Sequence, residues 1–149
     1  MQDILSTYTT HIEVQVAWGE MDAAQHVNNT VYLRYAESGR IHYFNQLGFS
    51  VNSTGEGDPV GPILAAIQCK YKFPLTFPDT VTIATKIKLD SFDEFSFETE
   101  QIIFSHKHQR VAAEVIAKLT CYDYKALRKA PIPEKLKADM LAAEQSAKA

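Results

Sequence analysis

One long helical segment constrains the fold of this chain more than any other feature. From about Thr30 to Leu47 there is no proline, and Gly48 stands just past the end, where helices commonly close. Apolar and small residues recur at helical spacing on one face and also occur on other sides. They are Val31, Tyr32, Leu33, Tyr35, Ala36, Gly39, Ile41, Tyr43, Phe44 and Leu47. A helix that is apolar around so much of its circumference must be covered broadly, not by one neighbour.

The residues just before this segment suit a helix start. Asn28 or Asn29 is a credible N-cap, because asparagine is among the best capping residues, although no Glu or Gln follows three positions on to complete a capping box. Before them, a loop of small and acidic residues runs from Gly19 to Gln25.

The remaining apolar residues alternate with polar ones and predict long strands. Ile12, Val14, Val16 and Trp18 form the first pattern, and a Gly-rich loop is expected from Ser50 to Gly61. The later strand faces are Ile63, Ala65, Ile67, Cys69, Tyr71 and Phe73; Val81, Ile83, Ile87 and Leu89; Phe95 and Phe97; and Val111, Ala113, Val115, Ala117, Leu119 and Cys121. A change of register near Ile102 and Ile103 indicates a bulge.

The order strand, long helix, four long strands predicts an α+β chain in which one antiparallel sheet wraps a central helix, which is the hotdog fold. We expect one domain over residues 1–149, with a core at about 8–133 and a polar tail at about 134–149 that forms a short, fraying helix. Open sheet edges predict pairing into a homodimer or a homotetramer.

Composition narrows the class of protein. Hydrophobic residues make up 46% of 149 residues and the net charge is −3, which argues against nucleic-acid binding. The first ten residues lack the features of a signal peptide, and no apolar run is long enough to span a membrane. Two cysteines, Cys69 and Cys121, fit a reducing, cytoplasmic compartment better than a disulfide framework.

Several short motifs together resemble the 4-hydroxybenzoyl-CoA thioesterase-like hotdog family. They are Trp18–Asp22 (WGEMD), His26–Asn29 (HVNN), Tyr32, Glu37–Arg40, Tyr71–Pro74 (YKFP), Pro78–Asp79 and Arg128–Pro133. The HVNN block preceded by an Asp at this spacing is the most specific of them. The resemblance covers about residues 12–133 and implies hydrolysis of an acyl-CoA thioester at a site between two subunits.

The resemblance also implies the roles of individual residues. Asp22 would be the nucleophile or the general base, and the backbone N–H of Asn29 would polarise the thioester carbonyl. A carboxylate near a helix N-terminus is stabilised in its charged form, which suits either role. Without the resemblance, Asp22 would pass for a turn residue before the helix. His26 could orient water, or it could be a structural residue bonded to a loop carbonyl.

Other polar residues are weaker candidates. Lys125, Arg128 and Lys129 form a small basic cluster that could bind CoA phosphates, and Tyr32 could contact substrate, although it is more typical of a helix core face. Glu37 and Arg40 are expected to form an ion pair on the helix surface. No cofactor and no metal site are expected, since His106 and His108 stand in a turn without further ligands.

Two other functions are compatible with the same pattern. The first is an enoyl-CoA hydratase-like enzyme with Asp22 and His26 as an acid–base pair. The second is a non-catalytic module that binds acyl-CoA or acyl carrier protein. Acyl carrier protein is also an alternative substrate carrier for a thioesterase of this fold.

Overall fold

The computed structural model describes residues 2–49 and 59–148. Its elements follow the predicted order, with a short helix added at the start. They are helix α1 (Gln2–Ser6), strand β1 (Thr10–Gln15), a 3-10 turn (Trp18–Glu20), helix α2 (Asn29–Gln46), strands β2 (Val60–Tyr71), β3 (Thr80–Lys88), β4 (Ser96–Ser105), β5 (Arg110–Asp123) and β6 (Arg128–Lys129), and helix α3 (Glu134–Lys148).

The sheet is antiparallel and has the strand order β1-β3-β4-β5-β2, with the two-residue strand β6 paired to β5. Helix α2 packs across β1, β3 and β4. This arrangement is the predicted α+β hotdog fold. Strand β2 ends the path through the sheet and pairs only with β5, which leaves its outer edge open among the described residues.

Helix α2 begins and ends as its residue types predict. Asn28 is the N-cap, and its Oδ1 accepts from the backbone N–H of Thr30 at 2.9 Å. Gly48 lies past the C-terminus with φ +71°, a conformation that favours glycine. In the middle, Gly39 lets the helix approach the sheet closely, because a Cβ there would stand 2.5 Å from Cγ2 of Ile83 and 2.7 Å from Nε2 of Gln101.

Two register shifts change which residues share a face. In β2 the pairing moves between Leu64 and Ala66, so the prediction that Ile63 and Ala65 share a face with Ile67 is wrong. The bulge expected near Ile102 and Ile103 is confirmed between Ile103 and Phe104. There Ala112 is the extra residue of β5. Val111 therefore packs against Phe104 in another cluster and does not share the Ala113 face.

The first strand ends earlier than its pattern predicts. Strand β1 stops at Gln15, and the backbone N–H of Val16 then donates to the carbonyl of Asp79 at 2.9 Å. The chain turns into the 3-10 segment, where Trp18 is 71% exposed. The prediction of Trp18 as a half-buried strand residue is therefore wrong.

The predicted loop from Ser50 to Gly61 ends too late, since β2 begins at Val60. Its residues 50–58 lie outside the described residues.

The core is divided into clusters, and helix α3 contributes to one of them. Leu136 and Met140 of α3 pack with Tyr43, Phe44 and Phe97 under the second half of α2. Glu144 is also buried, and its Oε2 accepts from the Tyr43 hydroxyl at 2.6 Å and from the Ile87 N–H at 3.1 Å. The tail is thus a longer helix than expected and is fixed to the C-terminal end of β3.

No helix of the described residues is long and apolar enough to cross a membrane. Cys69 and Cys121 are both free thiols.

Candidate active site

The start of α2 presents a backbone donor, the Asn29 N–H, that has no acceptor among the described residues. The Thr30 N–H bonds to the Asn28 side chain, and the Val31 N–H bonds to the Asn28 carbonyl at 2.9 Å. The Asn29 N–H donates to no acceptor among residues 2–49 and 59–148. The first N–H groups of a helix have no intrahelical acceptor and carry the positive end of the helix dipole. This N–H can therefore donate to a substrate oxygen.

Asp22 lies in a tight hairpin next to this helix start. Met21 and Val27 form an antiparallel bridge, and the Asp22 N–H donates to the His26 carbonyl at 3.0 Å. Gln25, at φ +62°, closes the turn. The Asp22 carboxylate is exposed, and its Oδ1 accepts from the Ala24 N–H at 2.9 Å. The turn orients the carboxylate, and among the described residues its Oδ2 has no hydrogen-bond partner.

Glu20 fixes the loop that carries Asp22. Its Oε1 accepts from the Ala17 N–H at 2.8 Å and from the Tyr35 hydroxyl at 2.7 Å. Its backbone carbonyl accepts from the Asn28 N–H at 3.0 Å. Burial raises the pKa of Tyr35, and the hydrogen bond to Glu20 and its charge raise it further, so the hydroxyl stays a donor. Glu20 therefore joins the loop to both the start and the second turn of α2.

The loop and the start of α2 line one cavity of about 450 Å³. We call it the Asp22 cavity. It is lined by Gly19, Glu20, Met21, Asp22, Asn28, Thr30, Val31 and Arg34. Asn28 and Thr30, the two neighbours of Asn29, are in this lining. A carboxylate, a backbone donor and a cation are the groups that acyl transfer uses to attack a carbonyl and to stabilise the resulting negative charge.

His26 lies in the same hairpin as Asp22, but the structure gives it no role. Its imidazole is exposed and makes no hydrogen bond to any other residue that is described. The expected structural bond to a loop carbonyl is therefore not present.

Tyr32 belongs to the core and not to the cavity wall. Its side chain is 3% exposed, its hydroxyl donates to the Phe73 carbonyl at 3.1 Å, and it accepts from the Leu75 N–H at 2.8 Å. Because its one O–H is committed to the backbone, the expectation that Tyr32 contacts substrate is wrong in this structure. Its hydroxyl instead holds the segment after β2 against α2.

The basic cluster lies far from Asp22 within one chain. Tyr71 of β2 reaches the helix start, where its hydroxyl donates to the Asn29 carbonyl at 3.3 Å, and it pairs with Ala113 of β5. Lys129 pairs with Tyr122 at the other end of the same strand. At about 3.3 Å per residue these positions are roughly 30 Å apart. Lys125, Arg128 and Lys129 therefore do not line the Asp22 cavity of the same chain, and their contact with CoA phosphates stays a prediction.

Arg34 was missed in the sequence, and Glu20 and Tyr71 were named only as members of the WGEMD and YKFP motifs, without a role. Arg34 is exposed one turn after Thr30, and side chains of a helix lean towards its N-terminus, so this spacing could have indicated Arg34. Tyr71 is 47% exposed beside the helix start. The contacts of Glu20 and Tyr71 had no comparable signal, because they depend on tertiary structure.

The prediction of an ion pair between Glu37 and Arg40 on the helix surface is wrong. Arg40 is 6% exposed, and its Nη1 donates to Oε1 of Gln101 on β4 at 3.3 Å. Among the described residues it makes no ion pair, although the charge of Glu37 raises its pKa from the same side of the helix.

Neither cysteine suits nucleophilic attack. Burial raises the pKa of Cys121 to about 11 and raises that of Cys69 as well, which lowers the thiolate fraction at neutral pH. Among the residues described, no group of three or more His, Cys, Asp or Glu side chains could hold a metal ion.

The family model described as the thioesterase-like superfamily matches residues 16–140, and the chain belongs to that family. It is a thioester hydrolase with the hotdog fold. No curated protein matches the sequence at a significant level.

Solved structures agree with this assignment. The PA2801 protein of Pseudomonas aeruginosa, assigned as a thioesterase, is 27% identical with a TM-score of 0.76, and the match covers 89% of this chain and 98% of that one. A thioesterase complexed with coenzyme A and Zn from Thermus thermophilus is 25% identical with a TM-score of 0.79, covering 93% and 96%. BH1999, a gentisyl-coenzyme A thioesterase at 24% identity and a TM-score of 0.76, covers 88% and 99% and supports the fold.

Proposed function

We propose that this thioester hydrolase cleaves acyl-CoA to a free carboxylic acid and CoA at the Asp22 cavity. Asp22 is the reacting carboxylate, and the Asn29 N–H is the donor to the thioester oxygen. The observation that carries the proposal is that Asp22 shares one cavity with the start of α2, where the Asn29 N–H has no acceptor among the described residues. The coenzyme A bound to one similar thioesterase and the gentisyl-coenzyme A named for another support CoA as the carrier.

The chemistry follows from where negative charge develops. As the carbonyl carbon is attacked, its oxygen becomes negative, and a fixed N–H at a helix start stabilises that oxygen without reorganisation. Asp22 acts either by direct attack, through a mixed anhydride, or by removing a proton from an attacking water. In the first route, water then opens the anhydride, and the thiol of CoA leaves in both. His26 is a secondary candidate that would orient the water.

The test measures thiol release from short, long and aromatic acyl-CoA thioesters. We expect release by the wild type and a loss of at least about a hundredfold in both Asp22→Asn and Asp22→Ala, the scale of a lost catalytic group. Asp90→Asn is the matched control, since Asp90 is an exposed turn residue beyond β3, and it should keep full activity. Full activity in Asp22→Ala would overturn the proposal.

The same assay separates the remaining alternatives. Faster thiol release from acyl carrier protein thioesters than from CoA thioesters would show that acyl carrier protein is the preferred carrier. Loss of enoyl absorbance without thiol release would indicate hydration, with His26 as the partner of Asp22. We place the activity in a reducing, cytoplasmic compartment, which the two free thiols support.

We also propose that the functional unit is a homodimer or homotetramer formed through the open edge of β2. This twelve-residue strand exposes apolar side chains, among them Ile63 at 41% and Leu64 at 44%, and such an edge pairs readily with another strand. A second copy would also be the way for Lys125, Arg128 and Lys129 to reach CoA. Sedimentation should show a dimer or larger, and Ile63→Lys should weaken it. A stable wild-type monomer at micromolar concentration contradicts this.

A further inference from the structure

A buried guanidinium that forms no ion pair with any described residue lies under the second half of α2. Arg40 is 6% exposed, and its one hydrogen-bond acceptor among residues 2–49 and 59–148 is the neutral amide of Gln101, at 3.3 Å. Gln101 is held in place because its Nε2 donates to the Ala36 carbonyl at 2.8 Å and to Oγ1 of Thr85 at 3.0 Å. The network therefore fixes the guanidinium but satisfies only one of its five N–H donors.

Arg40 faces a cavity of about 350 Å³ between α2 and the edge of β2, which we call the Arg40 cavity. Most of its wall is apolar and includes Ile41, Phe44, Leu64 and Leu119. This volume lies in the range of small-molecule sites, which are commonly apolar with a few fixed polar groups. Glu37 also lines the cavity, but it is exposed and makes no ion pair with Arg40.

A buried charge is costly unless it is paired, and the cost is higher where most of its hydrogen bonds are unmade. Burial lowers the pKa of Arg40 and the charge of Glu37 raises it, but an arginine in a protein remains charged at neutral pH. A planar carboxylate matches the fork of donors on a guanidinium. The apolar wall would cover the remainder of such a ligand.

We propose that the Arg40 cavity binds a carboxylic acid with an apolar body, its carboxylate paired with Arg40. Two sources supply this chemistry. One is a free monocarboxylic acid, the class of product that the proposed function releases. The other is the far end of the acyl group of a dicarboxylic acid monothioester. The second source rests on the proposed function, whereas binding of the free acid does not.

The first arm is calorimetric titration with octanoate, compared with octan-1-ol. We expect octanoate to bind the wild type at least about tenfold more tightly than the alcohol, and Arg40→Met to lose that difference, as expected for a charge-assisted pair. Glu37→Gln should bind octanoate as well as or better than the wild type, because it removes a like charge. Asp22→Asn should bind it unchanged, which separates this cavity from the proposed catalytic one.

Arg40→Met could fail to fold, so Ile41→Trp provides an independent variant. It leaves the bonds of Arg40 and Gln101 intact and fills the cavity from the exposed side of α2, and it should abolish octanoate binding. Octanoate binding that survives in Ile41→Trp or in a folded Arg40→Met overturns the proposal. The proposal is also overturned if the wild type does not bind octanoate, for example because a second copy of the chain fills the cavity.

The second arm distinguishes the two sources. If Arg40 receives the far end of the acyl group, octanedioyl-CoA is hydrolysed with a higher kcat/KM than octanoyl-CoA, and Arg40→Met removes the preference. If the ligand is a free acid, the two thioesters are hydrolysed alike while octanoate still binds. Failure of all thioester hydrolysis would reject the proposed function and leave the binding result standing.

Discussion

The Tyr35 hydroxyl donates a 2.7 Å hydrogen bond to Oε1 of Glu20, and this contact ties the second turn of α2 to the loop that carries Asp22. The same Glu20 oxygen also accepts from the Ala17 N–H. One carboxylate thus sets the distance between the helix and the loop on which the proposed chemistry depends.

Tyr35→Phe tests this contact. Loss of a hydrogen bond to a charged group should lower the free energy of unfolding by about 1.5–3 kcal/mol. It should also lower kcat roughly tenfold, because a shift of about 1 Å in a catalytic group can cost ~100-fold. Urea unfolding and thiol release measure the two effects. Tyr8→Phe is the control, since the Tyr8 hydroxyl has no hydrogen-bond partner among the described residues, and equal losses in both variants would contradict the role of Glu20.

High pH should destabilise the protein through its buried tyrosines. Burial and a carboxylate partner raise the pKa of Tyr35 beside Glu20 and of Tyr43 beside Glu144. An unfolded tyrosine loses its proton near its ordinary pKa of about 10, so stability is complete below that pH and is lost as the pH rises above it. Urea unfolding across this pH range should show that the free energy of unfolding falls less steeply with pH in Tyr35→Phe than in the wild type. The same pH dependence in both proteins would contradict the prediction.

The N-cap of α2 should matter for both stability and rate. Asn28→Ala removes the acceptor of the Thr30 N–H and should cost about 1 kcal/mol of stability. Thiol release should fall as well, because the adjacent Asn29 N–H loses its fixed position. Asn28→Ser keeps a capping oxygen and should retain most of both. If the serine and alanine variants behave alike, capping is not what positions the helix start.

Glu144 should anchor α3. Glu144→Ala leaves the Ile87 N–H and the Tyr43 hydroxyl without their acceptor, and each unsatisfied buried group costs about 1–3 kcal/mol. Gln145→Ala changes the next, exposed position and should alter stability by no more than about 0.5 kcal/mol. Denaturant midpoints of the two variants make the comparison, and equal midpoints would count against the anchor.

The close contact at Gly39 gives a further test. Gly39→Ala places a methyl group 2.5 Å from Ile83 Cγ2, so the helix must shift or the buried Gln101 amide must move, at a cost of about 1–3 kcal/mol. Ser38→Ala is the neighbouring control on the exposed side of the helix. A stabilised Gly39→Ala protein, as helix propensity alone would give, would show that the sheet yields at this point.

Local chemistry explains what could be predicted from the sequence. Asn28 and Gly48 delimit α2 because capping and the left-handed conformation are properties of single residues. The HVNN block and Asp22 likewise indicate the family through a short stretch of sequence. These signals need no knowledge of distant partners.

The features that were mispredicted depend on contacts between residues far apart in the chain. Arg40 is buried because Gln101, 61 residues later, accepts its hydrogen bond. Trp18 leaves the sheet because Val16 bonds to Asp79 on the connection to β3. Ile63 lies on the unexpected face because Ala65 is an extra residue where β2 pairs with β5. No periodicity within a single segment contains this information.

The contact at Gly39 also bears on how this enzyme could be redesigned. Gly39 lies ten residues, about 15 Å, along α2 from Asn29, and it seats the helix on β3 and β4. A library aimed at the proposed Arg40 cavity can vary Ile41, which is 52% exposed on α2. A substitution at Gly39 that shifts the helix would also move the Asn29 N–H, the proposed donor to the thioester oxygen. Along α2, exposed positions should therefore tolerate mutation and positions packed on the sheet should not, whatever their distance from Asp22.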